Sequence, residues 1–174
     1  WADDRKGSYQ IHLLDLSSRN EVEISSAKGE QIRPKISDDR IVWMDERSGD
    51  FDIYMYDIST GKESAVSTGP GDQSFPSVSK DIVAWADNRT GESDIAFMDL
   101  SSGKETTINK SGIQTDPRVY GRYIAYLTNP TDINLYDIET SADIALAPGS
   151  IKMEPAISER GVVWTDYRKG TNDP

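Results

Sequence analysis

The sequence predicts an all-β protein, a β-propeller of about four blade-equivalents in which each blade is a four-stranded antiparallel sheet. Two observations predict it. An aromatic residue that follows a short apolar run recurs about every 42 residues, and Asp stands two positions later in most copies. Each repeat also contains short β-patterned segments between turn residues, without helical periodicity. The recurring aromatics are Trp1, Trp43, Trp85, Tyr126 and Trp164.

The repeat from Arg33 to Thr68 shows the predicted elements in order. Its first strand contains Pro34, which we expect at the start of the strand, where a missing N–H donor is tolerated. The next two strands are rich in β-branched and aromatic residues, and the last alternates polar with small or apolar residues. Gly and Asp mark the intervening turns. The predicted strands are Arg33–Ser37, Arg40–Asp45, Phe51–Asp57 and Glu63–Ser67.

The other copies follow the same pattern, with Pro nine residues before four of the aromatics. An isolated meander has unpaired edges and little core, so the repeats must pack face on face, and the aromatic series is expected to fill the space between blades. We interpret the chain as one propeller domain or an arc of a larger propeller. The predicted repeats are 1–32, 33–74, 75–115, 116–153 and a partial copy at 154–174.

Ring closure has three alternatives. Glu154–Asp166 pairs with Tyr9–Ser26 and completes a small ring, the chain is an arc of a six- to eight-bladed ring, or two chains complete one ring through their open ends. We expect the arc, as an excerpt of a larger protein, because the sequence starts and stops within a repeat.

The composition narrows the classes of partner. The net charge of −11 argues against nucleic acid and anionic membrane surfaces, both of which require a basic footprint. The absence of Cys excludes disulfides and Cys-based metal or redox sites. No apolar run approaches the roughly 20 residues that a membrane span needs.

The most regular candidate for chemistry is an Asp with Arg two residues later. A ring of such carboxylates would suit a divalent cation, which prefers oxygen ligands. The interpretation that we favour is an Asp–Arg pair that braces each hairpin, because a feature repeated in nearly every blade usually belongs to the blade. The pairs are Asp3–Arg5, Asp45–Arg47, Asp87–Arg89 and Asp166–Arg168.

Three further patterns are weaker. Asp50 and Asp52 resemble part of a calcium loop but lack its bidentate Glu, so we interpret them as solvated turn acids. His12 is the only histidine, and a lone His on a strand is expected to serve packing or the surface. Several aromatics offer a platform for sugar rings, although packing between blades explains them better. These aromatics are Trp43, Tyr54, Tyr56, Phe97 and Tyr136.

The fourth repeat departs from the pattern. It lacks the Asp, Arg and Gly that follow the aromatic elsewhere, and it reads Asn129-Pro-Thr-Asp132 instead. The next repeat has Lys152 where earlier copies carry Gln31, Gln73 and Gln114. Residues that depart from the repeat pattern either form a functional site specific to that repeat or have changed without a functional role. We assign no catalytic, metal-binding or cofactor-binding residue from the sequence.

The stretch from Asp39 to Gly61, with its Arg-Ile-Val-Trp-Met-Asp and Asp-Ile-Tyr-Met-Tyr-Asp strands, resembles the TolB-type, WD40-like propeller repeat. It is similar in particular to tandem repeats of archaeal cell-surface and surface-layer-associated proteins. The resemblance implies an extracellular or cell-surface, non-catalytic scaffold that binds a protein or glycan partner. The alternative is an accessory or catalytic propeller of a secreted peptidase or polysaccharide lyase. Further matching segments are Asp81–Gly103 and Gly161–Asp173, and weaker ones are Trp1–Ser18 and Gly121–Thr140.

Overall fold

A computed structural model describes residues 1–129 and 131–167, and these residues form β-strands joined by turns. No helix of the length and hydrophobicity required to cross a membrane occurs in this part of the chain. The strands are β1 (Ala2–Asp3), β2 (Gln10–Leu14), β3 (Glu21–Glu23), β4 (Gln31–Ser37), β5 (Arg40–Asp45), β6 (Asp52–Asp57), β7 (Lys62–Ser67), β8 (Gln73–Ser79), β9 (Ile82–Asp87), β10 (Asp94–Asp99), β11 (Lys104–Ile108), β12 (Gln114–Tyr120), β13 (Tyr123–Thr128), β14 (Asp132–Asp137), β15 (Ala142–Ala147), β16 (Lys152–Ser158) and β17 (Gly161–Asp166).

The strands form consecutive antiparallel meanders. β4–β7, β8–β11 and β12–β15 are four-stranded sheets, flanked by the three-stranded sheet β1–β3 and the two-stranded sheet β16–β17. The first strands of neighbouring sheets contact one another in sequence, β4 with β8, β8 with β12 and β12 with β16. In radially packed blades such contacts occur nearest the axis, so these first strands are the inner strands. The predicted all-β propeller fold is confirmed.

The hydrophobic core lies between neighbouring sheets. Trp43, Trp85 and Tyr126 are fully buried, and each joins a cluster that includes residues of the preceding sheet. Trp85, for example, shares its cluster with Val42 and Ile53. This is the blade-to-blade role that the sequence predicted for the aromatic series. At the first sheet the pattern differs, since Trp1 is 45% exposed.

The inner strands correct one detail of the sequence analysis. Pro34 is the fourth residue of β4 and does not stand at its start, because β4 begins at Gln31. The register between β4 and β5 shifts between Ile32 and Lys35, which marks a β-bulge. Arg33, just before the proline, has a φ of 56°. The same bulge with a positive φ recurs in each inner strand, at Arg33, Phe75, Asp116 and Glu154.

The remaining strand bounds agree within one residue. β5 has the predicted limits, whereas β6 begins at Asp52 instead of Phe51 and β7 at Lys62 instead of Glu63. Among the described strands, β16–β17 form a sheet of their own and do not pair with β1–β3. The pairing of Glu154–Asp166 with Tyr9–Ser26 is therefore not seen, and β1 occupies the place beside β2.

Candidate functional site

The recurring Asp–Arg pair closes the hairpin between the second and third strands of a sheet. The Asp87 carboxylate accepts hydrogen bonds from Trp85 Nε1 at 2.9 Å, from the Arg89 backbone N–H at 3.0 Å and from Arg89 Nε at 2.9 Å. Arg89 Nη2 lies 2.6 Å from its second oxygen. The guanidinium also contacts Glu105 on β11 and the Ser67 hydroxyl of the preceding sheet. One carboxylate thus connects the core aromatic, the hairpin and the adjacent blade.

The same arrangement occurs in two other repeats, with different burial. Asp45 is fully buried and contacts Trp43 Nε1 and Arg47, whereas the Asp3 side chain is 19% exposed and contacts Arg5. The hydrogen bonds from Arg5 lower the pKa of Asp3 to about 2. In the fifth sheet, Asp166 accepts a hydrogen bond from Ser150 Oγ at 2.6 Å, and Arg168 lies outside the described residues. The carboxylate oxygens of these residues are therefore engaged in contacts within the protein.

The fourth repeat rebuilds this network from other residues. Tyr126 replaces the Trp, and its hydroxyl donates a hydrogen bond to Asp143 at 2.9 Å. Burial raises the pKa of Tyr126, and its hydrogen bond to the carboxylate adds to the shift. The cation comes from Lys110, whose Nζ lies 2.9 Å from Asp143 and 2.7 Å from Asn134 Oδ1. The repeat has therefore replaced its Arg with a Lys from the preceding connection.

The residues that depart from the repeat pattern also form hydrogen bonds with backbone groups. Asn129 Oδ1 accepts the Ile113 N–H at 3.0 Å, and Asp132 Oδ1 accepts the Gly149 N–H at 3.0 Å. Pro130 lies outside the described residues. Lys152 is fully buried, and its Nζ donates to the carbonyl oxygens of Thr131 and Ser150 at 2.9 and 3.0 Å.

The other candidates are also engaged in the fold. Asp50 and Asp52 accept backbone N–H groups from the connection at residues 69–71, at 3.1 and 3.4 Å. His12 stacks on Trp1 with a centroid separation of 5.6 Å, and its Nδ1 lies 3.0 Å from Glu21. Within the described ranges no group of three or more His, Asp or Glu side chains is arranged to hold a metal ion.

The aromatic candidates pack within and between sheets. Trp43, Phe97 and Tyr136 are buried, and Trp43 stacks on Tyr54 at 6.4 Å. Arg47 covers the Tyr54 ring at 3.9 Å. Tyr56 is half-buried against the same cluster. The platform that the sequence suggested is therefore not an open surface.

An open cleft of about 440 Å³ lies between the β8–β11 sheet and the start of β12. We call it the face cleft. Ser74, Asn88 and Thr115 line it, and none of these side chains has a hydrogen-bond partner among the described residues. Phe75 and Ile113 supply its apolar surface, and Ile113 is 55% exposed. Its volume is within the range of ligand pockets, which combine apolar walls with a few placed polar groups. Asp72, Gly91, Glu92 and Ser93 complete the lining.

A smaller cavity of about 70 Å³ lies where the inner strands β4, β8 and β12 meet. We call it the axial pocket. It shares Phe75 with the face cleft, and the other lining residues are Arg33, Lys35, Pro76, Asp116 and Arg118. The Arg33 guanidinium lies 4.7 Å from the centroid of the Phe75 ring, and Arg118 forms an ion pair with Asp116 at 2.8 Å.

A third cavity, of about 380 Å³, lies between β2 and β4. Trp1, Leu13, Leu14 and Ile36 give it largely apolar walls, and it borders the edge strand β1. It offers few polar groups that would orient a ligand, so it is a poorer candidate than the face cleft.

The sequence analysis missed Arg33 and Phe75 as candidates. The residue before the proline of each inner strand is Arg, Phe, Asp or Glu, although the proline recurs in all four copies and Gln stands two residues before the variable position in three of them. This variation at a fixed position is the signal that the sequence contains. The structure is needed to interpret it, because the bulge places the four positions on the inner strands.

No family model matches the chain, and the search of curated proteins found no match. Among solved structures, TolB from Acinetobacter baumannii is similar with a TM-score of 0.73 and 19% identity, over 94% of this chain and 44% of TolB. An oligogalacturonate lyase in complex with manganese has a TM-score of 0.68 and 15% identity, over 98% of this chain and 56% of the lyase. The tricorn protease has a TM-score of 0.66 and 20% identity, over 85% of this chain and 16% of the protease.

The chain therefore spans less than two thirds of each of these proteins. Identities this low show the fold and nothing of the activity. The fold that they show is a TolB-like β-propeller.

Proposed function

We propose that this chain is a non-catalytic propeller module of the cell surface that binds a glycan or protein partner through the face cleft. One observation carries the proposal. In the part of the chain that the structure describes, the recurring Asp and Arg side chains are engaged in contacts of the fold, whereas Ser74, Asn88 and Thr115 in the cleft have no side-chain hydrogen-bond partner. The cleft thus groups several polar side chains that a ligand can contact.

The lining favours a glycan over a protein. Hydroxyl and amide groups match the hydroxyls of a sugar, and the partly buried Phe75 offers ring surface for its C–H groups. The cleft lies where the β8–β11 sheet packs against the β12–β15 sheet, and this packing fixes its walls, so binding requires little ordering of the protein. The surface location rests on the resemblance of the repeats to those of cell-surface proteins, and immunolabelling of intact cells with an antibody against this module tests it.

The binding test is a panel of neutral and charged oligosaccharides, followed by calorimetry on those that bind. Asn88→Ala and Thr115→Ala remove free polar groups from the cleft and should weaken binding by about fivefold or more each. Thr60→Ala is the matched control, because it trims an exposed side chain in the turn between β6 and β7, which does not line the cleft.

Two results would contradict the proposal. If Asn88→Ala and Thr115→Ala bind every ligand as the unmodified chain does, the face cleft is not the site. If the chain cleaves peptides or polyuronides with turnover that those two substitutions reduce, the module is catalytic. Products would be followed by mass spectrometry, with the Thr60→Ala variant assayed in parallel.

A further inference from the structure

The axial pocket carries a charge opposite to that of the protein. The chain has 30 Asp and Glu against 19 Lys and Arg, yet the described side chains around this pocket include three cations and one carboxylate. That carboxylate, Asp116, is already paired with Arg118. Arg33 and Lys35 have no ion-pair partner among the described residues. Cavities lined by one sign of charge focus the local field and attract counter-ions.

Arg33 is held in position without an anion. Its guanidinium lies 4.7 Å from the centroid of the Phe75 ring, within the range of a cation–π contact. The contact leaves the N–H groups at the edge of the guanidinium plane available, and these form the fork that binds carboxylates in a bidentate manner. The positive φ of 56° at Arg33 and the bulge beside it direct this residue differently from its neighbours in β4.

The size of the pocket limits what can enter it. At about 70 Å³ the axial pocket is much smaller than the face cleft, and this size suits a small charged group such as a carboxylate. The face cleft, at about 440 Å³, is large enough for one or two rings. Phe75 lines both cavities, so the two are neighbours across this side chain.

We propose that the ligand is an acidic glycan whose uronate carboxylate enters the axial pocket and binds Arg33 and Lys35. Its hydroxyls contact Ser74, Asn88 and Thr115 in the face cleft. The proposal rests on the proposed function and assigns the class of its glycan. An acidic peptide supplies the same carboxylate, but it lacks the ring hydroxyls that the neutral polar groups of the cleft would bind.

The test compares a uronic acid tetrasaccharide with the same tetrasaccharide after carboxyl reduction, which removes the charges and keeps the sugar backbone. Calorimetry at low and high salt should show tighter binding of the acidic form, by about tenfold or more, and this preference should shrink as salt rises. Arg33→Gln and Lys35→Gln should each weaken binding of the acidic form more than binding of the reduced form, so the preference should shrink in each variant.

Lys62→Gln is the charge-matched control, because it removes one exposed cation from the outer strand β7 and should not alter the preference. Far-UV circular dichroism shows that each variant is folded. Equal affinity for the two tetrasaccharides, or a loss in Lys62→Gln equal to that in Arg33→Gln, overturns the assignment of an acidic glycan. If the reduced form still binds and Asn88→Ala weakens it, the proposed function survives that failure. Tighter binding of an oligoglutamate peptide than of the uronide overturns the glycan assignment.

Discussion

The contacts of Asp87 predict that this carboxylate is one of the most important polar groups for stability. Asp87→Ala removes the acceptor for Trp85 Nε1 and for two N–H groups of Arg89. Asp87 is only 4% exposed, so water cannot replace it freely, and the indole N–H of the fully buried Trp85 is left without its partner.

The magnitude follows from burial. Removing one partner of a buried ion pair costs about 3–5 kcal/mol, because the remaining charge stays without compensation. The Arg89 side chain is 36% exposed and keeps Glu105 and Ser67, so solvent screens part of that loss. We therefore expect about 3 kcal/mol, which corresponds to a fall in Tm of about 6–12 °C for a chain of this size.

Urea unfolding at 25 °C, followed by circular dichroism, measures the effect. Asp3→Ala is the internal control, because it removes the same motif residue where the Arg5 side chain is 65% exposed and Trp1 is 45% exposed. Its effect should be much smaller. If Asp87→Ala and Asp3→Ala lower stability equally, burial does not determine the strength of this network and the reasoning fails. A double-mutant cycle with Arg89→Ala then separates the ion pair from the indole hydrogen bond.

Three further substitutions test other parts of the fold by thermal and urea unfolding. Burial raises the pKa of Asp94 above its ordinary value of 3.8, so the ionised carboxylate lowers the free energy of unfolding as pH rises above that value. Asp94→Asn should therefore stabilise the protein at pH 7 and lose this advantage at lower pH. A gain that does not change with pH would contradict this reasoning. Lys152→Met should cost about 1–3 kcal/mol because the partly buried carbonyls of Thr131 and Ser150 lose their donor, whereas Lys152→Gln restores the residue of the other repeats and should cost less. Gly112→Ala should destabilise more than Gly149→Ala, because both glycines have positive φ but only a Cβ at residue 112 would overlap a neighbour, the Asn129 side chain. Equal losses would mean that this side chain moves away freely.

The repeat pattern predicted the fold because the same packing constraint applies to every repeat of the chain. An aromatic that fills the space between blades must recur once per blade, and Trp43, Trp85 and Tyr126 are all fully buried. Strand limits followed within about two residues from β-branched runs and turn residues. Pro34 was misplaced because a proline within a strand is expected at its start, and the bulge that accommodates it leaves no local signal.

The candidate site was less predictable because cavities depend on several sheets at once. Arg33, Phe75 and Thr115 come from three inner strands and are far apart in the sequence. Lys110, which replaces the missing Arg of the fourth repeat, lies in the connection between β11 and β12 and not in the hairpin that carries Arg in the other repeats, so alignment of the repeats did not identify it. Contacts of this kind follow from packing and not from spacing.

The division between repeated and variable residues has a physical basis that supports the proposed site. Asp45 and Asp87 recur because each satisfies buried donors in its own blade, and a partner that binds them would have to break these bonds. The residue before each inner-strand proline accepts the same backbone strain, about 1–3 kcal/mol for a non-glycine residue, whatever its side chain. The blade therefore fixes the conformation there and leaves the side chain free to vary. The side chain can change at this position without loss of the fold. Arg33, which lies beside Phe75, is such a variable position and lines an open cavity.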